Sequence, residues 1–346
     1  MNTITTLNTS LRNQYDFRDI FLVGQDGKLR EDKAKAFATA SAFHEAQVEK
    51  TKNDFADIDY NRMDSKSIDK VQAIAETVLE KVKRGLKVYD VIPMIFSKAK
   101  GELGKKVEAH EIQGGKVYNY TYGGVRRVSS LKHKTYTIET APSAVHFAIP
   151  VEQLRSGRYT TADLVYNAIQ AISRDKVALA YNTLNTAFVN GTQYTKDNGG
   201  SGTLTQPTVN KAIDAVADYD AGGLSLIGRG SVVSPISDFT GSSTTNGLAP
   251  AALEEIRKQG FLSYYRGADI IRLRYVADDV YGTEPFGKAN VFVLSREKSF
   301  NRYVEVAPVT RKAWVDQEHG MFHMIFEYED GAAIWKLQYG QKIYNI

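Results

Sequence analysis

The strongest helical period in the chain opens at Thr160-Thr-Ala-Asp163. Val165, Ile169, Ile172 and Leu179 then step by four, three and seven. That stripe predicts a helix running to about Phe188 and halting at Asn190-Gly191. The threonines are candidate caps, and Asp163 suits the positive end of the first turn. At 1.5 Å per residue the helix is roughly 40 Å long, enough to serve as a spine under a sheet. A thinner stripe of Val71, Ile74, Ala75, Val78, Leu79 and Val82 ends near Gly85, and Ala34–Val48 predicts a further thin helix. From about 28 to 90 charges of both signs crowd together and apolar residues are sparse, so this material has too little apolar surface for its own core and needs a partner to lie on.

Period-two alternation follows. Leu86–Phe96 is apolar but broken by Pro93, which reads as an edge strand. Gly101–Gly115 alternates weakly, and Lys116-Val-Tyr-Asn-Tyr-Thr-Tyr122 strongly. Gly123-Gly124 interrupts, and a second β-prone run spans Thr135 to Ile149. This is a long two-stranded excursion, and such a hairpin with polar faces cannot stand alone in water. Beyond the spine, Pro207–Tyr219 predicts a short helix with Val209, Ala212, Ile213 and Val216 inward. Leu224–Ile227 and Ser231–Val233 read as buried strand, Ser237–Asn246 as a loop, and Ala251–Gly260 as a short helix. Ile270–Val276, Asn290–Leu294, Tyr303–Val309, Met321–Tyr328 and Ala332–Ile343 predict strands, with Asp330-Gly331 as a hairpin turn. The fold class is α+β with mainly antiparallel strands, no internal repeat and no βαβ alternation.

Composition narrows the function. The 346 residues are 42% hydrophobic and 24% charged, ordinary globular values. Lys+Arg of 44 against Asp+Glu of 40 gives a net charge of +4, too small for a surface built throughout for nucleic acid. The surplus is local. Between Lys98 and Lys134 nine Lys or Arg face three Glu, about +6, leaving about −2 on the remainder. Without cysteine there are no disulfides, thiolate metal sites or cysteine nucleophiles. Met1–Tyr15 is polar and does not read as a signal peptide, and no apolar run reaches the roughly twenty residues of a membrane span. A soluble protein without membrane partners is expected.

Candidate chemistry is thin. His319-Gly-Met-Phe-His323 places two histidines four apart, but in strand-like surroundings that puts them about 13 Å apart, with no Glu between them. His44, His110, His133 and His146 are scattered. Ile227-Gly-Arg-Gly-Ser231 lacks the spacing and lysine of a phosphate loop, and Asp278-Asp279 reads as a solvated turn. No Ser sits in a G-x-S-x-G elbow. No catalytic, cofactor-binding or metal-binding residues are expected. The interleaved Tyr118, Tyr120 and Tyr122 with nearby Lys and Arg would suit single-stranded nucleic acid, yet their strand period reads better as packing.

The order of elements is the informative feature: charged N-terminal segment, basic two-stranded excursion, spine helix, compact α+β insertion, closing strands. It resembles the major capsid proteins of tailed phages, with the Hong Kong 97-type fold. His146-Phe-Ala-Ile-Pro-Val-Glu-Gln-Leu154 is similar to that family's strand entering its spine. Leu253–Gly260 followed by Phe261-Leu-Ser-Tyr-Tyr-Arg-Gly-Ala-Asp-Ile-Ile271 is similar to its helix, loop and strand of the axial domain. Ala289–Ser295 and Asp330-Gly331-Ala-Ala-Ile334 match its late strands.

The resemblance implies an N-terminal arm at 1–90, ordered over 1–85 by other subunits, and an extended hairpin (E-loop) at 91–150. It further implies a spine helix in a peripheral domain at 151–204, an axial domain at 205–298 and peripheral closing strands at 299–346. It implies hexamers and pentamers forming an icosahedral shell around double-stranded DNA, assembled in the host cytoplasm. Partners would be the chain itself, portal and scaffolding proteins, possible decoration proteins, and DNA non-specifically at most. Lys116, Tyr118, Tyr120, Tyr122, Arg126, Arg127, Lys132 and Lys134 are the expected inter-subunit contacts. Some members crosslink through Lys–Asn bonds; Lys116, Lys132 or Lys134 with Asn301 or Asn345 are the residues to consider, and crosslinking is not expected. The alternatives are an encapsulin-type compartment shell, an enzyme with an unrecognised site, and a carbohydrate-binding module.

Overall fold

The computed structural model describes residues 40–59, 62–88, 92–102, 107–113, 132–200, 202–220, 223–239, 264–273, 290–296 and 300–346. Its axis is the predicted spine, here α5, Thr161–Ala187. A capping box starts it: the Thr160 hydroxyl accepts from the Asp163 amide at 3.2 Å, and the Asp163 carboxylate accepts from the Thr160 amide at 2.8 Å. Its first half buries Leu164, Val165, Ala168, Ile169 and Ile172, and its second half Ala180 and Leu184. The two halves serve different cores.

The first half lies under a four-stranded sheet of order β1-β10-β11-β4, made of Ser97–Lys100 (β1), Asn301–Asp316 (β10), Met321–Ile334 (β11) and Ala141–Pro150 (β4). β11 alternates strictly, with Phe322, Met324, Phe326 and Tyr328 buried on the inner face. Helices α1 (Ala40–Ala56) and α2 (Ser65–Val88) complete this core through Phe55, Val71, Ile74, Ala75, Val78 and Val82. Phe55 meets Phe322 edge-to-face at 5.3 Å. The α2 stripe is buried within its own chain, as are Phe55 and Ile58, so within the expected arm at 1–90 these residues lie in the core. Gly85 lies inside α2 and does not end it.

The second half of the spine leads to a six-stranded sheet of order β5-β12-β9-β6-β8-β7. Its strands are Thr195–Asp197 (β5), Leu224–Arg229 (β6), Tyr264–Tyr265 (β7), Ala268–Leu273 (β8), Val291–Ser295 (β9) and Gly340–Tyr344 (β12). Helix α6, Gln206–Ala217, packs Val209, Ala212, Ile213 and Val216 onto it. A joining cluster of Ala180, Leu184, Phe188, Ile227, Phe292, Phe300 and Tyr303 ties the two sheets together. The closing segment 299–346 is therefore divided: β10 and β11 stay in the first sheet, while β12 crosses to pair with β9. Ladders are mostly antiparallel, with parallel pairs at β1–β10, β5–β12 and β6–β8.

Three local expectations fail for tertiary reasons. The described residues of Leu86–Phe96 form no strand: 86–88 end α2, and Ile92–Ile95 is a short helix (α3) with Pro93 in its first turn, where no N–H is needed. The buried amide of Asn301 donates to the Ile95 carbonyl at 2.6 Å and fastens that turn to β10. Ser231–Val233 belongs to the one-turn helix Gly230–Val233 (α7). Asp330-Gly331 is not a turn but mid-strand, and the hairpin turn is 317–320, with Gly320 at φ +60°. A Cβ on Gly331 would lie 2.1 Å from the Glu139 carbonyl oxygen. The glycine is there to let another backbone cross. Ala251–Gly260 and most of Ser237–Asn246 lie outside the described residues.

Because Phe55 belongs to the core, Phe55→Ala should destabilise the isolated subunit by about 3–5 kcal/mol, measured by denaturant unfolding. A change under about 0.5 kcal/mol would return this segment to the status of an arm.

Candidate assembly surface

Of the excursion at 91–150, β1 and β4 belong to the four-stranded sheet. The hairpin proper pairs Val107–Gln113 (β2) with Lys132–Ile138 (β3), from Val107↔Ile138 to Gln113↔Lys132. At its root Ala109 and Ile138 are buried. Farther out, Lys132, His133, Lys134 and Thr135 are all exposed. Side chains alternate across a strand, so four consecutive exposed residues mean that neither face has a core. Lys132 and Lys134 are thus placed on open surface. Lys116, Tyr118, Tyr120, Tyr122, Arg126 and Arg127 lie outside the described residues.

The root is anchored by groups that no motif signalled. Tyr136 stacks on Trp335 at 5.7 Å, with Lys134 over the outer ring at 4.8 Å and Arg302 over the indole at 5.9 Å. The Thr140 hydroxyl donates to the Glu329 carboxylate at 2.7 Å, beside the crossing at Gly331. Their sequence positions are far apart, and only the fold brings them together.

Behind this root lies a polar cluster in which Tyr303, Tyr328 and Asp330 are buried, Lys176 and Glu305 half-buried and Asp175 exposed. Lys176 on the spine is 3.7 Å from Glu305 and 5.7 Å from the centroids of both the Tyr303 and Tyr328 rings. The Tyr303 hydroxyl donates to Asp330, and the Tyr328 hydroxyl donates to Asp175 at 2.7 Å. Burial pushes the Asp330 carboxyl above its ordinary range, against the lowering effect of the Tyr303 bond. Burial, then the Asp175 bond, pushes the Tyr328 phenol up. The Lys176–Glu305 and Tyr328–Asp175 contacts join spine to sheet, and Tyr303–Asp330 ties β10 to β11.

The His319/His323 pair separates. His319, in the turn, bonds Asp316 at 2.8 Å, whereas His323 lies 3.0 Å from His146 and stacks on Trp314 at 4.9 Å. Burial and the neighbouring His146 lower the pKa of His323. Gly228, in the Gly-Arg-Gly segment, faces Val233, which a Cβ would approach to 2.7 Å. A cleft of about 570 Å³ at the end of the spine is lined by Asn185, Asn190, Asn290, Asn345 and Lys342, with the lysine bonded to Asn185 at 2.5 Å. No carboxylate lines it. Asn301 is fully buried, so it is not presented to a lysine of another subunit. Among the described residues no three His, Asp or Glu are grouped to hold a metal, and no helix is long and apolar enough to cross a membrane.

Known structures define the class. A chain from Mycobacterium phage Che8 matches with a TM-score of 0.51 at 12% identity, over 70% of this chain and 85% of that one. The capsid of a native GTA particle matches at 0.53 and 10%, over 73% and 89%. The mature capsid of bacteriophage PhiM1 matches at 0.50 and 12%, over 72% and 85%. The fold is the Hong Kong 97-type capsid fold. A search of curated proteins returns no match. The family model described as "SPbeta prophage-derived putative capsid protein YonB" matches residues 108–338, and the chain belongs to that family. It is a phage capsid protein.

The cluster supplies a pH test. Asp330 has a raised folded pKa, so its ionised form is disfavoured in the fold. Its contribution is fully present below the ordinary carboxylate range and is lost as pH rises through the raised value. Asp330→Asn keeps a neutral acceptor for Tyr303. The variant should melt above the parent at pH 7.5, and the advantage should vanish near pH 4. An equal or lower melting temperature at pH 7.5 would show the carboxylate to be adequately paired.

Proposed function

We propose that this capsid protein is the major shell subunit of a tailed phage or prophage, assembling as hexamers and pentamers into an icosahedral shell around double-stranded DNA. The observation that carries this reading is the hairpin: held at its root by the Tyr136–Trp335 stack and the Thr140–Glu329 bond, and exposed on both faces of the described outer part of β3. An enzyme concentrates its polar groups at a cleft. Here they are concentrated at the root of a projecting arm, and the protein acts as structure, not catalyst. In this reading the spine and four-stranded sheet form the peripheral domain. The six-stranded sheet with α6 forms the axial domain, facing the five- or six-fold axis.

The chief partner is the chain itself, with portal, scaffolding and decoration proteins as further partners. The destination is the virion, with assembly in the host cytoplasm. Lys132 and Lys134, with Lys116, Arg126, Arg127 and the tyrosines 118, 120 and 122, would bind acidic surface on an adjacent subunit. A single exposed ion pair contributes about 0–1 kcal/mol and is screened by salt, so such contacts matter through their number.

Electron microscopy of the purified protein should show closed shells; an inert monomer at high concentration in crowding salts would refute the reading. Neutralising Arg126, Arg127, Lys132 and Lys134 together should weaken empty shells, with greater loss at high salt. Intact empty shells that package DNA poorly would instead assign these charges to the genome.

A further inference from the structure

The four-stranded sheet ends at β4, and that edge is unusual. β4 pairs with β11 over ten consecutive positions, Ala141↔Asp330 to Pro150↔Met321, without a bulge. Among the described residues no strand pairs its other side. Its sequence, Ala-Pro-Ser-Ala-Val-His-Phe-Ala-Ile-Pro, carries no Lys, Arg, Asp or Glu. Free edges are ordinarily blunted by charge, by a bulge or by brevity, and this one has only a proline near each end. The inner face repeats the message. Val145, Phe147 and Ile149 pack against the core yet remain only partly buried, whereas Phe322, Met324 and Phe326 on neighbouring β11 are sealed.

We propose that the free edge of β4 pairs antiparallel with β4 of a second copy about a two-fold axis at His146, joining two four-stranded sheets into one. This rests on the shell reading only in that copies of the chain must meet. Self-pairing suits the edge because an uncharged strand does not repel its duplicate, and an isologous contact needs only one surface. Parity limits the register. Paired residues share a sheet face, so the paired numbers must sum to an even value, and a centred dyad falls on residue 145, 146 or 147. The prolines choose among these. Lacking N–H groups, Pro142 and Pro150 bound the stretch that can pair, and 146 is their midpoint.

In that register Pro142 opposes Pro150 of the second copy, and because neither has an N–H to donate the ladder ends there. Val145 opposes Phe147 on the inner face, a β-branched and aromatic pair. Ala144 opposes Ala148 on the outer face, where both are exposed and small. His146 meets its own duplicate, each backed by its own His323 at 3.0 Å.

The absence of cysteine makes the test direct. Single variants His146→Cys, Ala144→Cys and Ala148→Cys are purified, checked for unchanged melting, assembled and oxidised. Non-reducing gels should show His146→Cys forming dimers through most of the material. Ala144→Cys and Ala148→Cys should each stay monomeric alone, since their like positions are about 13 Å apart along the strand, and should crosslink when mixed. The small exposed alanines keep the test open even if loss of the histidine disturbs the strand. Particles that form without the mixed crosslink, or a homodimer from Ala144→Cys alone, would overturn the pairing while leaving the shell reading intact. Crosslinks in protein that makes no particles would support the pairing and refute the shell.

Discussion

The structure depends on one contact: the first half of the spine helix against the inner face of β11. Val165, Ile169 and Ile172 share a buried core with Phe322, Met324 and Phe326. β11 is the strand with long partners on both sides, β10 and β4, so its inner face sets the position of the whole sheet. The same contact fixes the chain that leads into it. At the end of β4 the Val151 amide donates to the Gly320 carbonyl at 2.9 Å, tying the entry of the spine to the β10–β11 turn. Arg155 on the short helix Val151–Arg155 (α4) then donates to the carbonyls of Phe55 and Ile58 and brings α1 onto the same core. Strand, turn, spine and N-terminal helices form one unit.

Farther along the spine, apolar packing gives way to Lys176, Asp175, Glu305, Asp330 and two tyrosines. Of the charges in this cluster only Asp330 is buried, and such a group is a poor source of stability because desolvation offsets most of its Coulomb attraction. The cluster's geometry is nonetheless specific. Each tyrosine hydroxyl has one carboxylate to find, and Lys176 sits over both rings. The cluster therefore fixes the register of spine against sheet where the hairpin leaves the body of the protein. Thr140, Glu329 and the crossing at Gly331 transmit that position to β3, and the Tyr136–Trp335 stack extends it one step outward. The proposed contact with a neighbour, which would have to form in one orientation, needs a root of this kind. A purely apolar root would slide more easily.

What could be read from the sequence was what local physics decides. The cap at Thr160, the spine stripe, α6, most strands and the basic surplus near Lys132 and Lys134 all declare themselves within a few residues. The errors share a cause. Asp330-Gly331 has the composition of a turn, but its glycine answers to the Glu139 backbone, nearly two hundred residues away in the chain. Ser231–Val233 has strand propensity, but Gly230 opens a helical turn there. The α2 stripe was seen correctly and its partner was not: a narrow stripe says that a helix must lie on something, not whether that surface belongs to the same chain. The anchoring residues Tyr136, Trp335 and Arg302 were illegible for the same reason, since a stack between distant positions leaves no period.

A shell subunit must also remain soluble before it assembles, and this explains why the projecting hairpin is polar. An apolar arm bare on both faces would be an exposed patch of the kind that drives indiscriminate association. Among the described hairpin residues only Ala109 and Ile138 at the root are buried, and Lys132, His133, Lys134 and Thr135 keep the described outer part of β3 hydrated. The cost is weak contacts. The basic surplus of about +6 faces only about −2 on the rest of the chain, so under the proposed contact a single hairpin would hold a neighbour only weakly through charge. Weakness of each contact is useful in a closed assembly, because misplaced subunits can leave before the lattice traps them. In the proposed shell, stability comes from the number of contacts each subunit makes, and the root at Tyr136, Thr140 and Gly331 would let those contacts repeat with the same geometry in every copy.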